Sequence, residues 1–198
     1  MADYLVPSGE GRSEYVEKRS SFLGFVCPIQ SESEAREIIS AVKKEHHDAR
    51  HNCWCYSVGR TVERYSDDGE PQGTAGIPML EVFKKEGVTD FVCIVTRYFG
   101  GVLLGSGGLL RAYTKAAKDA LTSAGISRVT PQTEGFVDCP YSYFEPVRTE
   151  LLALGGCALK CSYGEKVSLF FSLPEENFES FSKKISDMSG GKIFPVKK

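Results

Sequence analysis

The chain has 198 residues, 41% of them hydrophobic and 25% charged, with a formal net charge of −2, the balance of a soluble globular protein of one large or two small domains. Such a chain lacks the strong positive field of a protein that holds nucleic acid mainly by counterion release, although it can still carry a local basic face. No apolar run approaches the roughly 18 residues a membrane span needs, and the N-terminus has neither a secretory nor a transit pattern, so a cytoplasmic protein with no membrane partner is expected.

The polar first dozen residues are expected to be loosely ordered. Residues 13–19 and 22–28 are rich in aromatic and β-branched side chains and read as two strands of a hairpin. In SESEAREIISAVKKEHH, Ser31 and Glu34 stand at capping-box spacing, and Ala35, Ile38, Ile39 and Val42 repeat at helical intervals, which predicts an amphipathic helix. HNCWCYSVG, from His51, alternates as a strand, with His51, Cys53 and Cys55 on one face and Asn52, Trp54 and Tyr56 on the other. A short strand at 62–65 pairs with it. SDDGEPQGTAGIP, residues 66–78, is dense in turn-formers and reads as too polar for core.

A helix, MLEVFKKEG, then leads to the strand DFVCIVTRYF. Its run Phe91–Val95 is apolar on both faces, as a central strand requires. RYFGGVLLGSGGLLRAY follows, with five glycines before a helix whose apolar stripe is Leu109, Tyr113, Ala116, Ala117, Ala120, Leu121 and Ala124, ended by Gly125. Arg111, Lys115 and Lys118 form a basic ridge on another side of that helix. The composition shift near residue 131 predicts two domains, 1–130 and 131–198. Residues 134–197 run strand, helix, strand, strand, helix, strand, the ferredoxin-like βαββαβ order. The two parts carry 16 basic and 17 acidic residues, and 8 basic and 9 acidic, so neither is a basic module. Seven cysteines without paired zinc-ribbon spacing suit a reducing compartment.

Several groupings carry chemistry. Gly100 and Gly105 have the spacing that opens a Walker loop, but Ser106 and Gly107 stand where its lysine and hydroxyl belong. The dinucleotide fingerprint also fails, at Leu110. What survives is a glycine-rich turn that opens a helix after a buried strand. Its backbone N–H groups and dipole form an anion site, or a nucleic-acid backbone contact, from Arg97, Gly100, Gly101, Gly105, Gly107, Gly108, Arg111, Lys115 and Lys118; the alternative is a tightly packed turn. Asp67, Asp68 and Glu70 match the taste of Mg2+ for carboxylates or, equally, Asx-turn chemistry beside Gly69, Pro71 and Gly73. His46, His47 and His51 with Cys53 and Cys55 raise a zinc site or a thiol nucleophile against a structural role. No cofactor motif is complete, and neither cofactor nor metal is expected.

KRSSF (18–22), ARHNCWCY (49–56), SDDGEPQGTAGIP and VTRYFGGVLLGSGGLLRAY, in this order, resemble the motifs of the IMPACT family, in its bacterial YigZ-like branch. The resemblance implies an α+β fold of two domains. The N-terminal one would be a left-handed βαβ domain like that of a small-subunit ribosomal protein and domain IV of elongation factor G; the C-terminal one would be ferredoxin-like, as in domain V of that factor. It also implies a family-motif surface of His51, Asp67, Asp68, Gly69, Glu70, Pro71, Arg97, Tyr98, Phe99 and the glycines that follow. The expected function is that of a non-enzymatic, translation-associated regulator or accessory that binds RNA, the ribosome or a ribosome-associated protein. The alternative is an enzyme acting on a small phosphorylated or nucleotide-like ligand at the glycine-rich loop.

Overall fold

The computed structural model describes residues 3–59 and 61–198. It is an α+β chain that divides into two compact units, Tyr4–Val129 and one formed mainly by Thr130–Lys198. In the first unit the elements are β1 (Tyr4–Pro7), β2 (Gly11–Glu17), β3 (Ser20–Pro28), α1 (Glu32–Glu45), β4 (His51–Val58), β5 (Val62–Ser66), α2 (Gly76–Lys85), β6 (Phe91–Tyr98), α3 (Gly105–Ala124) and β7 (Ile126–Val129).

β6 is the middle of a five-stranded antiparallel sheet of order β2-β3-β6-β4-β5. The burial of Phe91–Val95 on both faces follows from that position, because helices cover both sides. α2 and α3 pack one face over Phe22, Cys53, Cys55, Cys93 and Val95. α1 packs the other over Tyr56, Val92 and Ile94. Ser31 caps α1 as its sequence predicts, its Oγ accepting from the Glu34 N–H at 3.2 Å, while Glu34 reaches back one residue past the cap to the Gln30 N–H at 2.7 Å.

The expectation of a loose N-terminal dozen is overturned for residues 4–7 and 11–12; residues 1 and 2 lie outside the described residues. Tyr4–Pro7 pairs antiparallel with Ile126–Val129, and the Leu5 carbonyl accepts from Thr89 N–H at 2.9 Å. Backbone bonding to a segment more than a hundred residues away orders residues whose side chains show no strong pattern.

The turn between β2 and β3 lies at Lys18–Arg19, both with positive φ (47° and 67°), the two-residue hairpin geometry whose twist matches the strands. That turn explains Gly100. A Cβ there would lie 2.0 Å from the Arg19 carbonyl carbon, and the Gly100 N–H donates to Ser20 Oγ at 3.1 Å.

The second unit contains β8 (Gln132–Cys139), α4 (Tyr141–Ala153), β9 (Cys157–Tyr163), β10 (Val167–Pro174), α5 (Phe178–Met188) and β11 (Val196–Lys197). Its sheet order, β11-β8-β10-β9 with antiparallel pairs throughout, is the ferredoxin-like arrangement. Val147, Leu151, Phe181 and Ile185 from the helices close the core over Val137, Leu169 and Phe171. The last strand is shorter than its sequence suggests. Ser189 Oγ accepts from the Lys192 and Ile193 N–H groups, which holds that segment in a turn, and Pro195 has no N–H to give to a ladder.

Among the described residues no helix is long and apolar enough to cross a membrane.

Candidate functional site

The site begins with strand register. β4 and β6 pair antiparallel with His51 directly opposite Arg97 and Asn52 opposite Thr96, so His51 and Arg97 leave the same face of the sheet side by side. Tyr98, one residue on, points to the other face, where its hydroxyl donates to Asp48 Oδ1 and meets His46 Nδ1 at 3.0 Å. His46 and His51 therefore do not gather around one point.

The acidic loop 67–71 then folds over this pair, and its three carboxylates part company. Asp67 receives N–H bonds from Gly73, Ala75 and Gly76 at 2.8, 3.0 and 2.8 Å. It closes the loop and places negative charge on the N-terminus of α2, which has no acidic residue of its own in the first turn. Asp68 accepts from the Asn52 N–H at 2.7 Å and pairs with Lys43. Every carboxylate oxygen of both accepts from a protein donor, which is turn and cap chemistry rather than that of a magnesium site.

Glu70 turns inward instead, with a side chain only 3% exposed. The loop is thus not excluded from the core: Glu70, Thr74 and Ala75 are all buried. Burial of that charge is tolerated because Glu70 Oε1 accepts from Arg97 Nη1 at 2.6 Å and from the Tyr113 hydroxyl at 2.8 Å. Tyr113 reads in sequence as part of an apolar stripe, and its ring does pack edge-on to Phe22, yet its hydroxyl is a polar anchor of the site. Burial, then the nearby Cys53 thiol, push the Tyr113 phenol far above its ordinary range, so it stays a donor.

Arg97 is 6% exposed along its side chain and sits 5.5 Å from the rings of both Phe22 and Phe99. One end of its guanidinium is spent on Glu70. Its Nε is the buried side-chain polar atom without a hydrogen-bond partner among the described residues, an uncommon state for a native group.

His51 is oriented by its Nδ1, which lies 2.8 Å from the Asp68 carbonyl oxygen. A carbonyl can only accept, so Nδ1 carries the proton and Nε2 of the neutral ring is a bare acceptor. That atom lies 3.8 Å from Glu70 Oε2. Gly69, at φ 87°, lets the loop pass close over the imidazole.

These groups border a cleft of about 610 Å3 whose far wall is Leu103, Leu104, Gly105 and Ser106, the start of α3. The helix has no side-chain cap and no acidic residue in its first turn, so its leading N–H groups and positive dipole end are open toward the cleft. Gly101 and Gly105 both have positive φ (84° and 73°), which shapes the turn that delivers this end. The arrangement can hold an anion against the helix end while offering acceptors on the opposite wall.

Of the residues singled out in the sequence, His51, Gly69, Glu70, Pro71, Arg97, Phe99 and Gly105 line the cleft. Gly100 is committed to the Arg19 contact, Lys115 pairs with Asp119 at 2.6 Å, and Gly101, Gly107, Gly108, Arg111 and Lys118 lie outside the lining. Arg50 is a lining residue that sequence reasoning did not select. It was marked only by its place beside His51, and its N–H bonds the Arg97 carbonyl at 2.9 Å. Cys53 is no nucleophile: its thiol donates to the Asp67 carbonyl at 3.0 Å, and burial pushes it up to about 12.

A split βαβ sheet with a motif-lined cleft, joined in one chain to a ferredoxin-like unit, defines a two-domain α+β protein. Residues 18–121 match the Impact N-terminal domain and residues 137–192 a domain of unknown function, DUF1949; the chain belongs to the IMPACT family. It is 35% identical to the IMPACT family member YvyE of Bacillus subtilis over 97% of this chain and 89% of that one. It is 34% identical to YigZ of Escherichia coli over 98% and 97%. A crystal structure described as that of a hypothetical protein, 33% identical, superposes with a TM-score of 0.69 over 99% of this chain and 97% of its own.

Proposed function

We propose that this protein is a translation-associated accessory that binds RNA, with a backbone phosphate held at the N-terminus of α3 and the sugar and base against the opposite wall of the cleft. The observation that carries the reading is the meeting, in one cleft, of an uncapped helix N-terminus with Arg50 and with Arg97, whose Nε has no partner. Exposed Phe99 offers a ring on which a base can stack. With a chain near neutrality, few phosphates are engaged, so the log–log salt dependence has a slope of only about −1 to −2.

Fluorescence anisotropy of short single-stranded RNAs against the full chain tests this. Ser106→Asp puts a carboxylate in the first turn of α3, where it favours the helix and competes with phosphate. About a tenfold loss of affinity is expected, and Arg50→Ala weakens binding in the same sense. RNA binding that is equally tight in both variants overturns the phosphate site.

One observation favours a second reading, an enzyme acting on a small phosphorylated or nucleotide-like ligand. His51 has a fixed tautomer and a bare Nε2 inside a concave site, the disposition of a general base. Turnover of phosphorylated small molecules that is lost in His51→Asn would select this reading over the first.

A further inference from the structure

We propose that His51 Nε2 and Glu70 Oε2 form a ribose-hydroxyl clamp that makes the cleft selective for RNA over DNA. The inference rests on the RNA reading above and names the group by which that ligand is told apart.

The two atoms face each other at 3.8 Å, longer than a hydrogen bond. Nδ1 of His51 is committed to the Asp68 carbonyl, so the proton of the neutral ring is not at Nε2. Oε1 of Glu70 is committed to Arg97 and Tyr113, which leaves Oε2 as the outward oxygen. Two acceptors therefore stand together on one wall with no donor between them. Neither can be turned away, because each is anchored at its other end, and the His51 side chain is only 14% exposed.

What suits such a wall is a group that brings a proton. A cation would face the positive end of α3 across the cleft and have Arg50 and Arg97 beside it, which disfavours it. A neutral hydroxyl meets no such cost. In RNA a hydroxyl lies on the same sugar as the phosphate that α3 holds. A 2′-hydroxyl donates its one proton to Nε2, whereas a deoxyribose covers Nε2 without giving it a donor. The 2′-hydroxyl is the group by which proteins distinguish the two nucleic acids, and one such bond to a partly buried acceptor is worth about a tenfold difference in affinity.

The test compares RNA, DNA and 2′-fluoro-RNA of one single-stranded sequence on the full-length protein. The fluoro sugar keeps the ribose pucker but has no proton to donate. The expected order is RNA about tenfold tighter than both others, with 2′-fluoro-RNA grouped with DNA. In His51→Asn, whose amide can still donate to the Asp68 carbonyl but which has no atom at the Nε2 position, the RNA-to-DNA ratio falls toward one. In His51→Gln, which restores an acceptor there, part of the ratio returns. Equal binding of all three ligands by the unmodified protein overturns the clamp while leaving the phosphate site standing. A 2′-fluoro-RNA that binds as tightly as RNA assigns the preference to sugar shape and also overturns it. No binding of any ligand at low salt overturns the RNA reading itself. The ligand series needs no variant, so it decides even where a substitution fails to fold.

Discussion

Arg97 Nη1 donates to Glu70 Oε1 at 2.6 Å, and both side chains are almost fully buried. A desolvated ion pair of this kind contributes little net stability relative to apolar residues of the same shape, but removal of one partner strands a charge in low dielectric. Arg97→Met or Glu70→Leu alone is expected to cost about 3–5 kcal/mol, and the double substitution distinctly less than the sum of the two. Urea unfolding of the four proteins of this cycle measures the coupling. An additive result would mean the pair is not coupled in the folded chain. For this reason ligand binding is better probed at Ser106 and Arg50, which lie outside the pair.

Asp67 accepts three backbone N–H bonds, from Gly73, Ala75 and Gly76. Asp67→Ala removes a cap and leaves these donors without a partner in a loop that is partly buried, so a loss of about 2–3 kcal/mol is expected. Asp67→Asn, with one acceptor oxygen left, loses less. Denaturation midpoints in the order wild type, Asn, Ala support this role, and an unchanged Asp67→Ala midpoint contradicts it.

Gly100 packs against the backbone of the Lys18–Arg19 turn, and an added Cβ would meet the Arg19 carbonyl carbon and oxygen at 2.0 and 2.1 Å. No side chain can rotate to relieve a backbone contact. Gly100→Ala is expected to destabilise the first unit by about 2 kcal/mol or more, whereas Gly107→Ala, with only Arg111 Nη1 within 4 Å of its Cβ, gains helix propensity. Thermal melts of the two variants should move in opposite directions.

Burial raises the Cys27 and Cys53 thiols to about 12 in the folded chain, while unfolded thiols titrate near about 8.5. Between those values the unfolded chain has released protons that the folded chain retains, so stability is fully present below about pH 8.5 and declines as pH rises toward 12. Urea midpoints at pH 7.5, 9 and 10.5 should fall in that order. At pH 8 iodoacetamide should modify the exposed Cys157 while Cys27 and Cys53 remain protected, as peptide mass mapping would report.

How much of this was legible in the sequence divides along the range of the interactions. The cap at Ser31, the end of α3 at Gly125, the alternation along β4, the buried centre of β6 and the βαββαβ order of the second unit all follow from contacts within a few residues, and such contacts leave a period or a spacing in the chain. The glycine-rich turn was visible as a peculiarity. Its five glycines nevertheless serve different ends: one makes a close approach, two adopt positive φ, and two lie inside a helix.

The site itself was decided elsewhere. Nothing local distinguishes Glu70 from Asp67 and Asp68; what separates them is that only Glu70 meets Arg97 and Tyr113, residues 27 and 43 positions away. A shift of one residue in the β4–β6 register would send His51 and Arg97 to opposite faces. The pairing of β1 with β7 joins segments more than a hundred residues apart. Side-chain period records which way a residue points, so the sequence determined most of the elements and their faces, β1 and β7 excepted. Register and long-range pairing depend on the packing of the whole sheet, and only the tertiary structure chose which carboxylate is buried, which histidine nitrogen is bare and which helix end opens on them.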